Sequence, residues 1–219
     1  MNETHETNRP TAFLSRRFDD ALKYAAEAHR FQRRKDEPPM NGTPGRPGAP
    51  YIGHLLGVAG IVIDNGGTED EAIAAVLHDA PEDQGGEPRL ADIAIVFGDR
   101  VAAIVEGCSD SLTTDPNAKL PWRPRKERYI AHLNACYDVS VLLVSAADKL
   151  HNSRTTLQDL RTMPAASVWA KFNKAAGRDG TIWYYRQLIE AYKRGRPDVR
   201  REPLVAELIR VIDAIEASG

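Results

Sequence analysis

The stretch Thr68-Glu69-Asp70-Glu71-Ala72-Ile73-Ala74-Ala75-Val76-Leu77-His78-Asp79-Ala80-Pro81-Glu82-Asp83 decides how the rest of the chain is read. Asn65-Gly66-Gly67, just before it, stops one helix with residues that accept positive φ. Thr68 then reads as the N-cap of the next helix, and Glu71, three residues on, completes a capping box. The apolar run from Ala72 to Leu77 makes that helix short and buried, with His78 and Asp79 at its end. Pro81 disfavours helical geometry at Ala80, so Glu82 and Asp83 are expected where the helix opens into a loop.

Upstream, residues 51–64 are apolar over most of a helical circumference. They follow a segment, residues 36–50, that holds Pro38, Pro39, Pro44, Pro47 and Pro50 and is expected to be a long loop. From Phe13 to Phe31 the positions Phe18, Ala21, Leu22, Ala25 and Ala28 recur at helical spacing, and the basic cluster Arg33-Arg34-Lys35 follows. Downstream, Leu90–Phe97 and Arg100–Glu106 read as helices hinged at Gly98, residues 109–124 as irregular, and Arg125–Ala135 as a helix facing inward with Tyr129, Ile130 and Leu133. The apolar run from Val139 to Ala147 resembles a parallel strand. Its charged continuation through His151 lacks strand punctuation and no second run could pair with it, so a helix is expected. Ile182–Tyr192 and Pro203–Ala217 complete an all-α bundle in one domain, residues 13–217, behind a polar leader, residues 1–12.

A length of 219 residues with 42% hydrophobic and 27% charged side chains suits one well-buried globular core. The net charge of −2 gives no electrostatic reason to expect duplex nucleic acid or an anionic membrane as partner. Cys108 and Cys136 lack zinc-site spacing and are too few for a disulfide scaffold, so a reducing compartment is the default. With no secretory leader pattern and no apolar run of spanning length, a cytoplasmic location is expected.

His78 and Asp79 follow the apolar run directly, a costly place for charge unless a cation compensates. A lone His-Asp pair is as readily a buried imidazole held by its neighbouring carboxylate. Glu82 and Asp83 shift the balance, because a hydrolase needs acid and base groups beside a metal-bound water. One ion requires further ligands. Asp148 ends the apolar run of the later helix as Asp79 ends its own, and His54 lies one turn into the helix that begins at Tyr51. His29 and His132 are set aside as groups near a basic cluster and on a polar face, and His151 is expected at the surface or just behind the ligands.

The order His54, His78-Asp79, Asp148 resembles the HD superfamily of phosphohydrolases. With Arg33-Arg34-Lys35-Asp36, Tyr51-Ile52-Gly53-His54, the HDxxED segment and Asp148-Lys149-Leu150-His151-Asn152 it is similar to the hydrolase domain of Rel/SpoT-type alarmone enzymes. That resemblance implies an HD-type helical bundle hydrolysing the 3′-pyrophosphate of (p)ppGpp, or of a related alarmone such as (p)ppApp, with Mn²⁺ as metal. It also implies His54, His78, Asp79 and Asp148 as metal ligands and Glu82 with Asp83 as the groups handling water and protons. Arg34 and Lys35 would meet the nucleotide or its phosphates, and Asn152 and Thr155 its ribose and base. The expected partner is a small-molecule nucleotide, with a homo-oligomer allowed for. Alternatives are another nucleotide phosphohydrolase, such as a nucleotidase or an NADPH-type phosphatase, or a non-catalytic nucleotide sensor. Leu55, Ala80-Pro81 and the long 36–50 loop depart from the family pattern. The aromatic segment Trp183-Tyr184-Tyr185 reads as core, with a base-pocket role as the alternative, and Arg123–Arg128 as a solvated helix start from which Lys126 or Arg128 could touch phosphate.

Overall fold

A computed structural model describes residues 14–35, 45, 47–115 and 117–218. The leader and most of the 36–50 loop therefore lie outside the described residues. Those described form eleven helices, joined by turns and by one isolated antiparallel bridge between Arg33 and Pro50. In chain order they are α1 (Arg16–Ala28), α2 (Ile52–Asp64), α3 (Glu69–Leu77), α4 (Ala80–Asp83), α5 (Gly86–Phe97), α6 (Asp99–Cys108), α7 (Trp122–Ala135), α8 (Val139–Thr162), α9 (Ala165–Trp169), α10 (Gly177–Arg194) and α11 (Arg201–Ala217).

The fold is organised around α8. Every residue from Ser140 to Asp148 is buried, and the helix touches α2, α3, α6, α9, α10 and α11. A segment enclosed on all sides has no polar face to show, which is why its sequence imitates a buried strand. Asp138 caps its start by accepting from the Ser140 amide, and it runs on to Thr162, beyond the charged segment at which the sequence pattern fades.

The capping box forms as expected. The Thr68 side chain accepts from the Glu71 amide, and the Glu71 carboxylate accepts from the Thr68 amide at 2.7 Å. Gly98, with φ of +92°, is the hinge between α5 and α6. One expectation is corrected. Pro81 does not carry Glu82 and Asp83 into a loop, because α3 has already ended at Leu77 and a new turn, α4, begins at Ala80. Pro81 sits in the first turn of that new helix, where its missing N–H has no helical acceptor to forgo. The turn closes through Asp83 N–H to Asp79 O at 3.0 Å. Helices α7 and α10 also begin earlier than their apolar stripes suggest, at Trp122 and Gly177.

Candidate functional site

Three buried helices meet at the HD residues. His54 projects from the first turn of α2, His78 ends α3, and Asp148 lies in the middle of α8, all of them buried. One potential ligand atom from each falls within 4.8 Å of the others. His54 Nε2 is 3.2 Å from Asp148 Oδ1 and 3.4 Å from Asp79 Oδ2, and His78 Nε2 is 3.0 Å from Asp79 Oδ2. Asp79 stands at the more open side of the cluster, with its side chain about one-fifth exposed.

The donor set fits a divalent cation. His78 Nδ1–H donates to Ala75 O at 2.9 Å, which leaves Nε2 to present its lone pair, and that atom is buried without a hydrogen bond. A bare lone pair facing carboxylate oxygens is repulsive unless a proton or a cation lies between them. Burial opposes charge on His78, but Asp79 and Asp148 outweigh it and hold the imidazole well above its ordinary range. Burial likewise opposes charge on Asp79 and Asp148, yet their partners, His78 for Asp79 and Lys149 foremost for Asp148, hold both well below the usual carboxylate range. A metal ion would take over the role of that proton, as neutral imidazoles and ionised carboxylates are the forms it binds.

A second layer orients these groups. His54 Nδ1 is 2.9 Å from Nδ1 of His151. Burial, then His54 and Arg34, push the His151 pKa down to about 4, so this ring is a neutral acceptor for His54 Nδ1–H. His151, expected at the surface or just behind the candidate ligands, lies against His54. Asn152 Nδ2 donates to Asp148 Oδ1 at 2.5 Å and Lys149 pairs with Asp148 Oδ2. Tyr51 donates its hydroxyl to Asp79 Oδ2 at 2.7 Å and stacks on His29 at 5.2 Å. His29, set aside on sequence, is thus buried against the site.

Glu82 and Asp83 leave α4 in different settings. Glu82 Oε2 accepts from the Asp110 amide at 3.4 Å, and Oε1 is 3.3 Å from Lys119 Nζ. Burial, with Asp110 and Asp79 adding repulsion, pushes its pKa up to about 7. Asp83 keeps a face open to solvent and accepts from Gln32 Nε2 at 2.7 Å. Its carboxyl is also raised, by desolvation on the protein side and by Asp79. Sequence reasoning missed Asp110, Lys119 and Gln32. Asp110 is buried between Arg125 and Lys126 and received no attention because it lies in a segment without periodicity.

A cavity of about 540 Å³ adjoins the cluster. Arg34, Lys35, Asn152 and Thr155, the four residues carried over as substrate contacts, all line it, together with Tyr51 and Glu82. Arg34 donates to Asn152 Oδ1 at 2.9 Å, and the Lys35 ammonium lies 3.9 Å from the centroid of the Phe172 ring, where burial lowers its pKa. Arg125, Lys126, Lys149 and Lys171 add cations, against Glu82 and Asp159 as the acids among the described residues of the same wall. Tyr184 and Tyr185 are both core and cavity lining. Arg128 faces elsewhere, donating to Asp110 O and lining a larger cavity of about 910 Å³ behind the Asp110 loop. Neither space is lined by an HD residue itself, but Tyr51, Lys149 and Asn152 of the smaller one bond to Asp79 or Asp148, which places that one, and not the larger, beside the cluster.

Comparison with known proteins agrees with this geometry. Residues 21–182 match the HD domain family. A guanosine-3′,5′-bis(diphosphate) 3′-pyrophosphohydrolase MESH1 of Xenopus tropicalis is 39% identical over 137 residues, which is 62% of this chain and 66% of that protein. A probable enzyme of the same description from Synechocystis is 32% identical over 90% of this chain but only 24% of its own length. Among solved structures, a metazoan ortholog of SpoT that hydrolyses ppGpp superposes with a TM-score of 0.65 at 26% identity, over 91% of this chain and 97% of that one. The matched stretch thus falls just short of two thirds of the MESH1 length. Carrying an HD pair between two buried helices and a second Asp on the central one, the chain belongs to the HD domain family.

Proposed function

We propose that this protein is a divalent-metal-dependent hydrolase that removes the 3′-pyrophosphate of (p)ppGpp, or of a related alarmone such as (p)ppApp, releasing pyrophosphate and GDP or GTP or the adenine equivalent. The observation that carries this reading is a metal-competent cluster, His54, His78 and Asp148, beside a nucleotide-sized cavity whose charged lining residues are mostly Arg and Lys. His54, His78, Asp79 and Asp148 would hold the ion, with Mn²⁺ as the metal. The bound ion supplies Lewis acidity, lowering the pKa of water and countering charge on the phosphoryl oxygens.

The remaining chemistry falls to side chains. Glu82, with a pKa near 7, can hold a proton at neutral pH and release it toward the 3′-oxygen as the bond from that oxygen to phosphorus breaks. Asp83 orients the attacking water and takes its proton. The balance is one water consumed, its oxygen joined to phosphorus and a hydrogen returned to the ribose 3′-oxygen. Arg34 and Lys35 grip phosphates, as planar and point-charge donors respectively, while Asn152 and Thr155 contact the ribose and base. Two free cysteines and a nucleotide substrate support a cytoplasmic setting; among the described residues no helix is long and apolar enough to cross a membrane.

The test is product analysis with Mn²⁺-reconstituted protein and a panel of 3′-pyrophosphorylated guanine and adenine nucleotides. Pyrophosphate release supports the proposal. Orthophosphate release in its place would transfer the site to a phosphatase acting on phosphorylated nucleotides.

A further inference from the structure

Among the described residues no Lys or Arg pairs with Asp83; its hydrogen-bond donor is a neutral amide, Gln32 Nε2, at 2.7 Å. That amide is itself held from several sides. Gln32 Oε1 lies 2.7 Å from His29 Nδ1 and accepts from Gln84 Nε2 at 2.5 Å. Its backbone is tied by Gln32 N–H to His29 O and by Tyr51 N–H to Gln32 O, both at 3.0 Å. An ionised carboxylate only accepts, so the Gln32 atom facing Asp83 is its NH₂ and the atom facing His29 and Gln84 is its oxygen. That oxygen in turn sets the His29 tautomer. Its Nδ1 carries the proton, while Nε2 is buried with no hydrogen-bond partner.

We infer that Gln32 is a positioning residue for Asp83, a neutral clamp that fixes one carboxylate oxygen and leaves the other free to face water. This rests on Asp83 being the proton acceptor of the proposed reaction. A neutral donor suits that task. Arg or Lys in the same place would hold the carboxylate as firmly but stabilise its anion and so reduce its basicity, whereas an amide orients it with a far smaller electrostatic effect. The arrangement also couples the two ends of the site. The residues next in sequence, Arg33, Arg34 and Lys35, line the substrate cavity, so the short segment after α1 that carries the phosphate grips also carries the clamp.

Gln32→Met keeps the length and removes the donor, and Gln32→Glu keeps the length and the acceptor while turning a carboxylate toward Asp83. The inference predicts that kcat falls about tenfold in Gln32→Met and about a hundredfold in Gln32→Glu, with KM and metal content within about twofold of the parent. A merely structural role predicts the opposite order, because Glu retains the hydrogen bonds from His29 and Gln84. A Gln32→Glu enzyme with near-parental kcat, or a rise in KM at unchanged kcat, overturns the inference. Gln84→Met, which removes one of the two donors orienting the amide, decides the matter if the Gln32 variants do not fold: a several-fold loss of kcat supports the clamp and an unchanged kcat removes it. A crystal structure of the metal-free Gln32→Met protein provides a reading independent of turnover. Asp83 should leave its present rotamer, and an Asp83 unmoved there overturns the inference even if the parent proves to act on a different nucleotide. Failure of the parent to release pyrophosphate from any alarmone would instead count against the proposed function alone.

Discussion

A Cβ on Gly57 would stand 2.3 Å from both Cδ2 and Nε2 of His151, so the histidine ring occupies the space a side chain on α2 would otherwise fill. Gly57 lies three residues after His54, on the face of α2 that meets α8, and the ring it admits is the one whose Nδ1 meets Nδ1 of His54. A glycine inside a helix normally costs about 1 kcal/mol relative to alanine. Here it makes room for the ring that supports His54, a proposed metal ligand.

Gly57→Ala should therefore weaken metal binding by about 10- to 100-fold, the usual range for loss of a group that orients a ligand, while leaving α2 helical. Metal titration by calorimetry measures it. In a His151→Ala background the same substitution should add nothing, and an additive pair would show that Gly57 acts by another route.

Asp148→Ala should lose both the metal and the activity, because it removes the only carboxylate of the buried trio within 4.8 Å. Elemental analysis of the purified variant tests this directly. Retention of stoichiometric metal would mean that a different fourth ligand completes the set.

Lys35→Ala should raise KM for the nucleotide by about tenfold at unchanged metal occupancy, the size expected for one charge-assisted hydrogen bond. Arg34→Ala should have the larger effect, since it also releases Asn152, the residue donating to Asp148. Steady-state kinetics on metal-loaded protein separates the two. If KM stays put in both, Arg34 and Lys35 do not grip the substrate.

Glu82→Gln and Asp83→Asn should bind metal and nucleotide nearly as the parent does but turn over about 10²- to 10⁴-fold more slowly. Loss of metal from either variant would place that carboxylate among the ligands. The parent rate should fall as pH rises through about 7, where Glu82 loses its proton, and this limb should vanish in Glu82→Gln.

Glu82 also links pH to stability. Its folded pKa of about 7 lies above the ordinary glutamate value of 4.5, so the folded state binds the proton more tightly than the unfolded chain does. The contribution is fully present below pH 4.5 and is lost as pH rises through about 7. Denaturant unfolding of metal-free protein across that window should give a shallower loss of stability for Glu82→Gln than for the parent. Equal slopes would mean that the carboxyl is not held protonated.

The helical class, the capping box at Thr68 and Glu71, and the HD residues were legible in the sequence because each depends on local rules: apolar spacing, a short cap motif and charge next to an apolar run. His54 and Asp148 could be nominated from the ends of apolar segments, but only the packing of α2 and α3 against α8 brings them within reach of one ion. The one-turn helix at Pro81 escaped local reading because the chain breaks and restarts at His78 and Asp79, which turns a helix-disfavouring proline into a first-turn residue. His29, Gln32, Asp110 and Gly57 escaped it for a related reason. Their significance lies in partners 51 residues away for Gln32 with Asp83, 28 for Asp110 with Glu82, and across two helices for Gly57 with His151. Sequence pattern records what a residue does to its own helix; which carboxylate an amide will clamp, or which ring a missing side chain will admit, is decided only when the helices pack.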